Sequence, residues 1–103
     1  MTLEVAILNI KPSLQHNFEK DFAIASKYIS SIKGYQNHSL RKCIENENKY
    51  ILLVNWDNID SHEIGFRKSE VYKKWQELLH KYYDPFPIVE HYETVFENTK
   101  NNS

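Results

Sequence analysis

The chain has 103 residues, which is enough for one domain with a single core and too few for a second domain that would hold a cofactor. Its 13 basic and 14 acidic residues nearly balance, and no segment clusters lysines and arginines into a basic patch that could follow a phosphate backbone. We therefore expect no nucleic-acid partner.

Apolar runs and cysteine usage both favour a cytoplasmic protein that makes no contact with a membrane. The longest apolar run, residues 51–54, is far too short to span a bilayer, and the first residues lack the basic and apolar regions of a signal peptide. The single cysteine, Cys43, can form no internal disulfide and suits a reducing compartment. We interpret it as a small apolar strand residue.

The first half of the chain predicts a strand, a helix and a second strand. Residues 3–10 are rich in β-formers, and Pro12 ends them because proline lacks the amide that a ladder needs. Ser13 is the predicted N-cap of a helix and Gly34 its C-terminal cap. Residues 35–44 alternate weakly, as an edge strand would. The apolar positions of the helix recur at steps of three and four: Leu14, Phe18, Phe22, Ala25, Ile29 and Ile32.

The second half predicts a strand, two helical segments and a last strand. Residues 49–57 are strongly apolar. Asp60, with Glu three residues later, predicts a helix start and a helical segment to about residue 68. A second helix is expected over 69–83, where prolines then stop it, and residues 88–96 form the last strand.

This order, β-α-β-β-α-β, predicts an α+β, ferredoxin-like domain with four antiparallel strands and two helices on one face. We assign residues 1–97 to it and expect 98–103 to be a flexible tail. Two helices cover only one face of such a sheet, yet the first and third strands are apolar on both faces. A second copy is the simplest cover, so we expect a homodimer through packed sheet faces.

One set of motifs resembles the antibiotic biosynthesis monooxygenase (ABM) family, whose domains are dimeric α+β barrels. The set comprises residues 50–56, His62, residues 65–69, Tyr72, Trp75, residues 78–79, residues 83–87 and residues 91–92. The resemblance implies an apolar cleft between the helices and the sheet. Characterised relatives bind aromatic polyketide-like molecules, quinols or haem there, and some insert oxygen without flavin or metal. It therefore implies a cofactor-independent monooxygenase acting on a small aromatic or quinol-like compound.

Aromatic residues near the second helical region are the candidate walls of that cleft. Trp56, Phe66 and Trp75 are predicted to bind substrate, although aromatics at helical spacing also fit a plain core. Tyr72 is a candidate catalytic residue, because a buried hydroxyl needs a partner and can donate to a developing anion.

Two histidines and two asparagines complete the candidate site. His91 and His38 lie in predicted strands and are the candidate general bases, since imidazole titrates near neutral pH. Asn9 and Asn55 interrupt apolar strands and are expected to hold a substrate oxygen or dioxygen, or else to satisfy a bulge or the dimer interface.

No metal site is predicted, because Phe66 stands where a zinc-protease helix would place its second histidine after His62. Haem degradation in the family requires an iron-binding histidine near Trp75 and Gln76, and here His80 follows about one turn later. The alternatives are therefore a dimeric module that binds an apolar small molecule without catalysis, or haem binding through His80.

Overall fold

The computed structural model describes residues 1–100 and contains four strands and two α-helices. In chain order they are β1 (Thr2–Asn9), α1 (Gln15–Ser30), β2 (Tyr35–Lys42), β3 (Lys49–Trp56), α2 (Glu70–Leu79) and β4 (Val89–Tyr92). A π-helical turn (Ser61–Phe66) precedes α2, and a 3-10 turn (His80–Tyr82) follows it.

The strands form one antiparallel sheet in the order β2-β3-β1-β4. Both helices pack on the same face, where the side chains of Ala6 and Leu8 from β1 and of Leu52 and Val54 from β3 are buried. This arrangement confirms the predicted ferredoxin-like fold.

The core lies between the helices and this inner face of the sheet. α1 contributes Phe18, Phe22, Ala25 and Ile29, each at most 6% exposed, at the predicted steps of four and three. α2 contributes Trp75 and Leu79. Helical periodicity therefore predicted correctly which side of α1 is buried.

The ends of α1 differ from the prediction. Ser13 has a φ of 71°, and the residue that flanks the helix is Leu14, so the serine is not the N-cap. The helix ends at Ser30, before Gly34. Gly34 has a φ of 93°, where a Cβ would collide with the Ser61 hydroxyl, so glycine is needed in the turn itself.

The second helical region begins with a different capping residue from the predicted one. Asp60 has helical backbone angles and makes no side-chain cap, whereas the Asn58 carboxamide oxygen accepts from the Ser61 amide at 3.0 Å. Ser69 does cap α2, because its hydroxyl accepts from the Tyr72 amide at 3.3 Å. The α-helix ends at Leu79, four residues before the predicted end.

The last strand is shorter than predicted, four residues instead of nine. β4 pairs only with β1, and its final residue Tyr92 lies opposite Leu3. The pairing ends there, and residues 93–100 have no regular structure. The prediction of a strand to residue 96 was therefore wrong.

Residues 101–103 of the predicted tail lie outside the described residues. Within residues 1–100, no helix combines the length and the apolar character that crossing a membrane requires.

Candidate active site

A small cavity of about 40 Å³ lies between α2 and the inner face of the sheet, near the turn that follows the helix. We call this cavity and its walls the cleft. Its lining is mainly apolar and includes Ala6, Leu8 and Leu52 from the sheet and Pro87 and Val89 from the last segment. The titratable residues that line it are Glu4, His62, Arg67, Tyr72, His80 and Tyr83.

Aromatic rings form one wall of the cleft. Phe66 ends the π-helical turn, and its ring meets Tyr72 edge-on with centroids 5.0 Å apart and Trp75 with centroids 5.5 Å apart. The side-chain periodicity of α2 directs Tyr72 and Trp75 toward the sheet. The structure thus places three of the predicted site residues in one wall.

His80 lies in the 3-10 turn and also lines the cleft. Its ring is surrounded by Tyr72, Tyr83 and Phe86, at centroid separations of 6.0, 5.6 and 4.8 Å. Burial lowers the pKa of His80, and the charge of Arg67 lowers it further. The imidazole is therefore neutral at pH 7 and able to accept a proton.

The Tyr83 phenol beside His80 is protonated at neutral pH. Burial raises the pKa of Tyr83, with smaller contributions from Tyr72 and Glu4. A protonated phenol can donate a hydrogen bond to an oxygen that gains negative charge. The cleft therefore holds a neutral base next to hydroxyl donors.

Glu4, a residue that the sequence analysis overlooked, lies at the floor of the cleft and is only 5% exposed. Burial raises the pKa of its carboxyl to about 7, while the hydrogen bond from Trp56 Nε1, at 3.0 Å, opposes the rise. The sequence did indicate that Glu4 faces the core, because strand alternation places it on the same face as Ala6 and Leu8.

His91 does not line the cleft but lies behind its floor. Its Nε2 is 2.7 Å from His62 Nδ1, and His62 Nε2 in turn is 3.3 Å from Glu4 Oε1. Burial lowers the pKa of His62 to about 3, with further contributions from His91 and Arg67. His91 therefore reaches the cleft only through His62. The nitrogen and oxygen atoms of His62, Glu63 and His91 are of the kind that bind divalent metals.

His38 lies at the other end of the sheet, beneath α1. Its Nε2 is 3.0 Å from the Ser26 hydroxyl, and its Nδ1 is hydrogen-bonded to the Tyr35 hydroxyl. The ring also packs edge-on against Phe22, with centroids 5.9 Å apart. Burial lowers the pKa of His38. The structure does not bring His38 to the cleft.

The remaining predicted substrate ligands lie elsewhere. Asn9 and Asn55 are on the outer face of the sheet, opposite the helices. Asn55 Nδ2 donates to Asn37 Oδ1 at 2.9 Å, beside an irregularity in the β2–β3 pairing, which agrees with the alternative that it satisfies a bulge. Trp56 is fully buried below Glu4 and contributes no wall to the cleft.

The cleft is smaller than an aromatic substrate. A cavity that admits benzene measures roughly 150 Å³, well above the 40 Å³ found here. Phe86 lies at the rim, 58% exposed, and its ring contacts only His80 and Tyr83 among the aromatic side chains of residues 1–100. Admission of an aromatic ring therefore requires a movement of the walls of the cleft.

The sequence profile of the family "Antibiotic biosynthesis monooxygenase" matches residues 1–78. An uncharacterized Bacillus subtilis protein, YczJ, is 48% identical over 95 residues, which are 92% of this chain and 100% of the relative. A Bordetella bronchiseptica structure, described as a putative antibiotic biosynthesis monooxygenase, superposes with a TM-score of 0.88 at 27% identity. That superposition covers 92% of this chain and 97% of the other.

A second similar structure is SnoaB of Streptomyces nogalater, described as a cofactor-independent oxygenase. It superposes with a TM-score of 0.70 at 18% identity, over 95% of this chain and 94% of that one. At this identity the likeness concerns the fold.

Proposed function

Because the chain belongs to the antibiotic biosynthesis monooxygenase family, we propose that it is a cofactor-independent monooxygenase that oxidises a small aromatic or quinol-like compound in the cleft. The observation that carries the proposal is the neutral imidazole of His80, whose ring centroid lies 6.0 Å from that of Tyr72, in an aromatic-walled cavity. The description of SnoaB as a cofactor-independent oxygenase supports the proposed chemistry at the level of a shared fold.

The substrate itself supplies the electrons in this reaction. His80 removes a proton from an activated CH₂ group, and the Tyr72 hydroxyl donates to the oxygen on which the negative charge develops. The anion passes one electron to dioxygen, and the two radicals combine in a C–O bond. His80 returns its proton to the peroxide, which loses water, so CH₂ and O₂ become C=O and H₂O.

The apolar walls have two roles in this scheme. Phe66 and Trp75 present flat surfaces against which an aromatic substrate stacks, and they exclude water from the charged intermediate. Phe86 moves outward to admit the substrate.

Four of the predicted site residues take no part in the proposed chemical steps. His91 lies behind His62, and His38 lies beneath α1. Asn9 and Asn55 lie on the outer face of the sheet.

The test is oxygen consumption by chelator-treated, flavin-free protein with hydroxylated anthrones, quinols and naphthols. We expect uptake of one O₂ per product carbonyl, and a Tyr72→Phe variant that is slower by about tenfold to a thousandfold. Tyr28→Phe removes a phenol hydroxyl that lies outside the cleft and is the matched control. Saturable binding of a naphthol without oxygen uptake would instead favour the non-catalytic module, and a sharp haem absorption band lost in His80→Ala would favour haem binding.

The proposed assembly is a homodimer in which the outer faces of two sheets pack together. Leu3, Val5 and Ile7 of β1 and Ile51 and Leu53 of β3 lie on this outer face, and Ile7 remains 38% exposed. Apolar side chains on the outer face of an antiparallel sheet require a cover. We also propose a cytoplasmic location, since one cysteine suits a reducing compartment.

Light scattering tests the dimer. We expect a dimer mass at micromolar concentration for the unmodified chain and a monomer mass for Ile7→Lys, because a charge cannot be buried between the sheets at low cost. Ile24→Lys is the matched control, since Ile24 is similarly exposed, at 44%, but lies on α1. A monomer mass for the unmodified chain would refute the assembly.

A further inference from the structure

Three side chains beside the cleft, of which His62 also lines it, direct ligand-type atoms at one point. His62 and Glu63 lie in the π-helical turn, and His91 lies in β4. His62 Nδ1 is 2.7 Å from His91 Nε2, and Glu63 Oε1 is 3.8 Å and 3.6 Å from these two nitrogens. Because the residues come from two elements, the fold and not the local sequence brings them together.

We propose that His62 Nδ1, His91 Nε2 and Glu63 Oε1 bind one divalent transition-metal ion of the zinc type. In a tetrahedral zinc site with bonds of about 2.0–2.1 Å, the ligand atoms lie about 3.3–3.4 Å from one another. The separations of 2.7, 3.6 and 3.8 Å lie on either side of that value, so small side-chain movements would bring all three atoms to one ion. Two imidazoles and one carboxylate suit zinc and its neighbours better than calcium or magnesium, which prefer oxygen ligands.

The groups behind the ligands favour the same conclusion. A histidine that binds a metal commonly donates its other ring N–H to a carboxylate. His62 Nε2 lies 3.3 Å from Glu4 Oε1, and Trp56 Nε1 holds that carboxyl in place. When Nε2–H is directed at Glu4, the lone pair of His62 is on Nδ1, which is the nitrogen that faces His91.

The carboxylate ligand has a supporting contact of its own. Arg67 Nη1 lies 3.7 Å from Glu63 Oε2, the oxygen that is not directed at the two histidines. Glu63 Oε1 therefore stays available for an ion while the other oxygen is oriented by the guanidinium. Such contacts to ligating carboxylates are a regular feature of metal sites.

The site is partly accessible to solvent. The side chains of His91 and Glu63 are 15% and 41% exposed, and His91 also borders an open groove together with Thr2 and Ile59. Water can therefore supply a further ligand, as it does at open zinc sites. The ion lies on the Nδ1 side of the His62 ring, whereas the ring's Nε2 faces Glu4 at the floor of the cleft, so the proposed oxygenation does not pass through the metal.

The experiment is calorimetric titration of zinc chloride into tag-free, chelator-treated full-length protein. We expect one ion per chain. His91→Ala and Glu63→Gln should each weaken binding by at least about 100-fold, and Glu4→Gln by about tenfold, because outer contacts contribute less than ligands do. His16→Ala and Glu70→Gln, which remove an exposed histidine and a 92% exposed glutamate, are the matched controls and should leave the affinity unchanged.

Cobalt(II) provides an independent readout, because its visible absorption reports on the ligands themselves. The spectrum of the cobalt-loaded chain should change in Glu63→Gln, a variant whose partly exposed site makes loss of folding a poor explanation. Absence of zinc binding at millimolar concentration, or equal affinities in the unmodified chain and His91→Ala, would overturn the proposal.

Discussion

Two histidines in this molecule have a lowered pKa with burial as the main cause, but their surroundings differ. His38, beneath α1, and His80, after α2, are both partly buried, and burial lowers the pKa of both. The two ring nitrogens of His38 are engaged by the hydroxyls of Ser26 and Tyr35, whereas the ring of His80 borders a cavity. Burial alone therefore does not distinguish a base from a structural histidine, and the partners of the ring nitrogens do.

The largest expected effect is on the rate of oxygen uptake when the imidazole of His80 or of His38 is replaced. His80→Gln should slow oxygen uptake by about a hundredfold to ten-thousandfold, the usual contribution of a general base. His38→Gln removes an equally buried imidazole and should change the rate by less than about threefold. The measurement is kcat/KM under air-saturated conditions. Equal losses of kcat/KM in the two variants would contradict the distinction drawn between His80 and His38.

The pH dependence of the rate gives the next largest effect. His80 must be neutral to accept a proton, so kcat/KM should rise with pH and then level off. Because the pKa of His80 is lowered by burial, the midpoint should lie below about 6.5, the ordinary histidine value, and the rate should be constant above it. Below the midpoint, the rate should fall about tenfold per pH unit.

This profile requires a substrate that does not ionise over the range measured. A midpoint above the ordinary histidine value would show that a different group accepts the proton. The profile of His38→Gln should be unchanged, which makes that variant the control.

The smallest effect concerns the hydroxyl beside His38. Ser26→Ala should lower the free energy of unfolding by about 1 kcal/mol, since it removes a partly buried hydrogen bond. Ser30→Ala, on the exposed side of the same helix, should change it by less than about 0.5 kcal/mol. Urea unfolding measures both, and neither variant should alter oxygen uptake. A Ser26 variant as stable as the Ser30 variant would show that the hydrogen bond adds nothing.

Periodicity predicted most of the fold because it reports on burial, which is a local property of each element. The steps of three and four from Phe18 to Ile29 defined α1, and the order of elements was sufficient for the ferredoxin-like sheet. The length of β4 was not predictable in this way. It depends on how far β4 pairs with β1, and β1 lies more than 80 residues earlier in the sequence.

The candidate site was predictable only where its residues share one helical region. Phe66, Tyr72 and Trp75 lie close in sequence, so their spacing placed them on one wall. His62 and His91 are 29 residues apart, and their contact depends on how β4 pairs with β1. Glu4 was predictable from strand alternation but was hidden among apolar neighbours that suggested only a core.

The π-helical turn determines the direction in which His62 points relative to the side chains of α2. The amide of Arg67 donates to the carbonyl oxygen of His62, five residues earlier, at 3.0 Å, so this turn holds about one residue more than an ordinary α-helical turn. Deleting Gly65 would let the segment close as an α-helix, in which each residue turns about 100°. His62 would then rotate away from Glu4, while Trp75 would keep its place. Deletion of one residue would therefore separate the floor of the cleft from its aromatic wall.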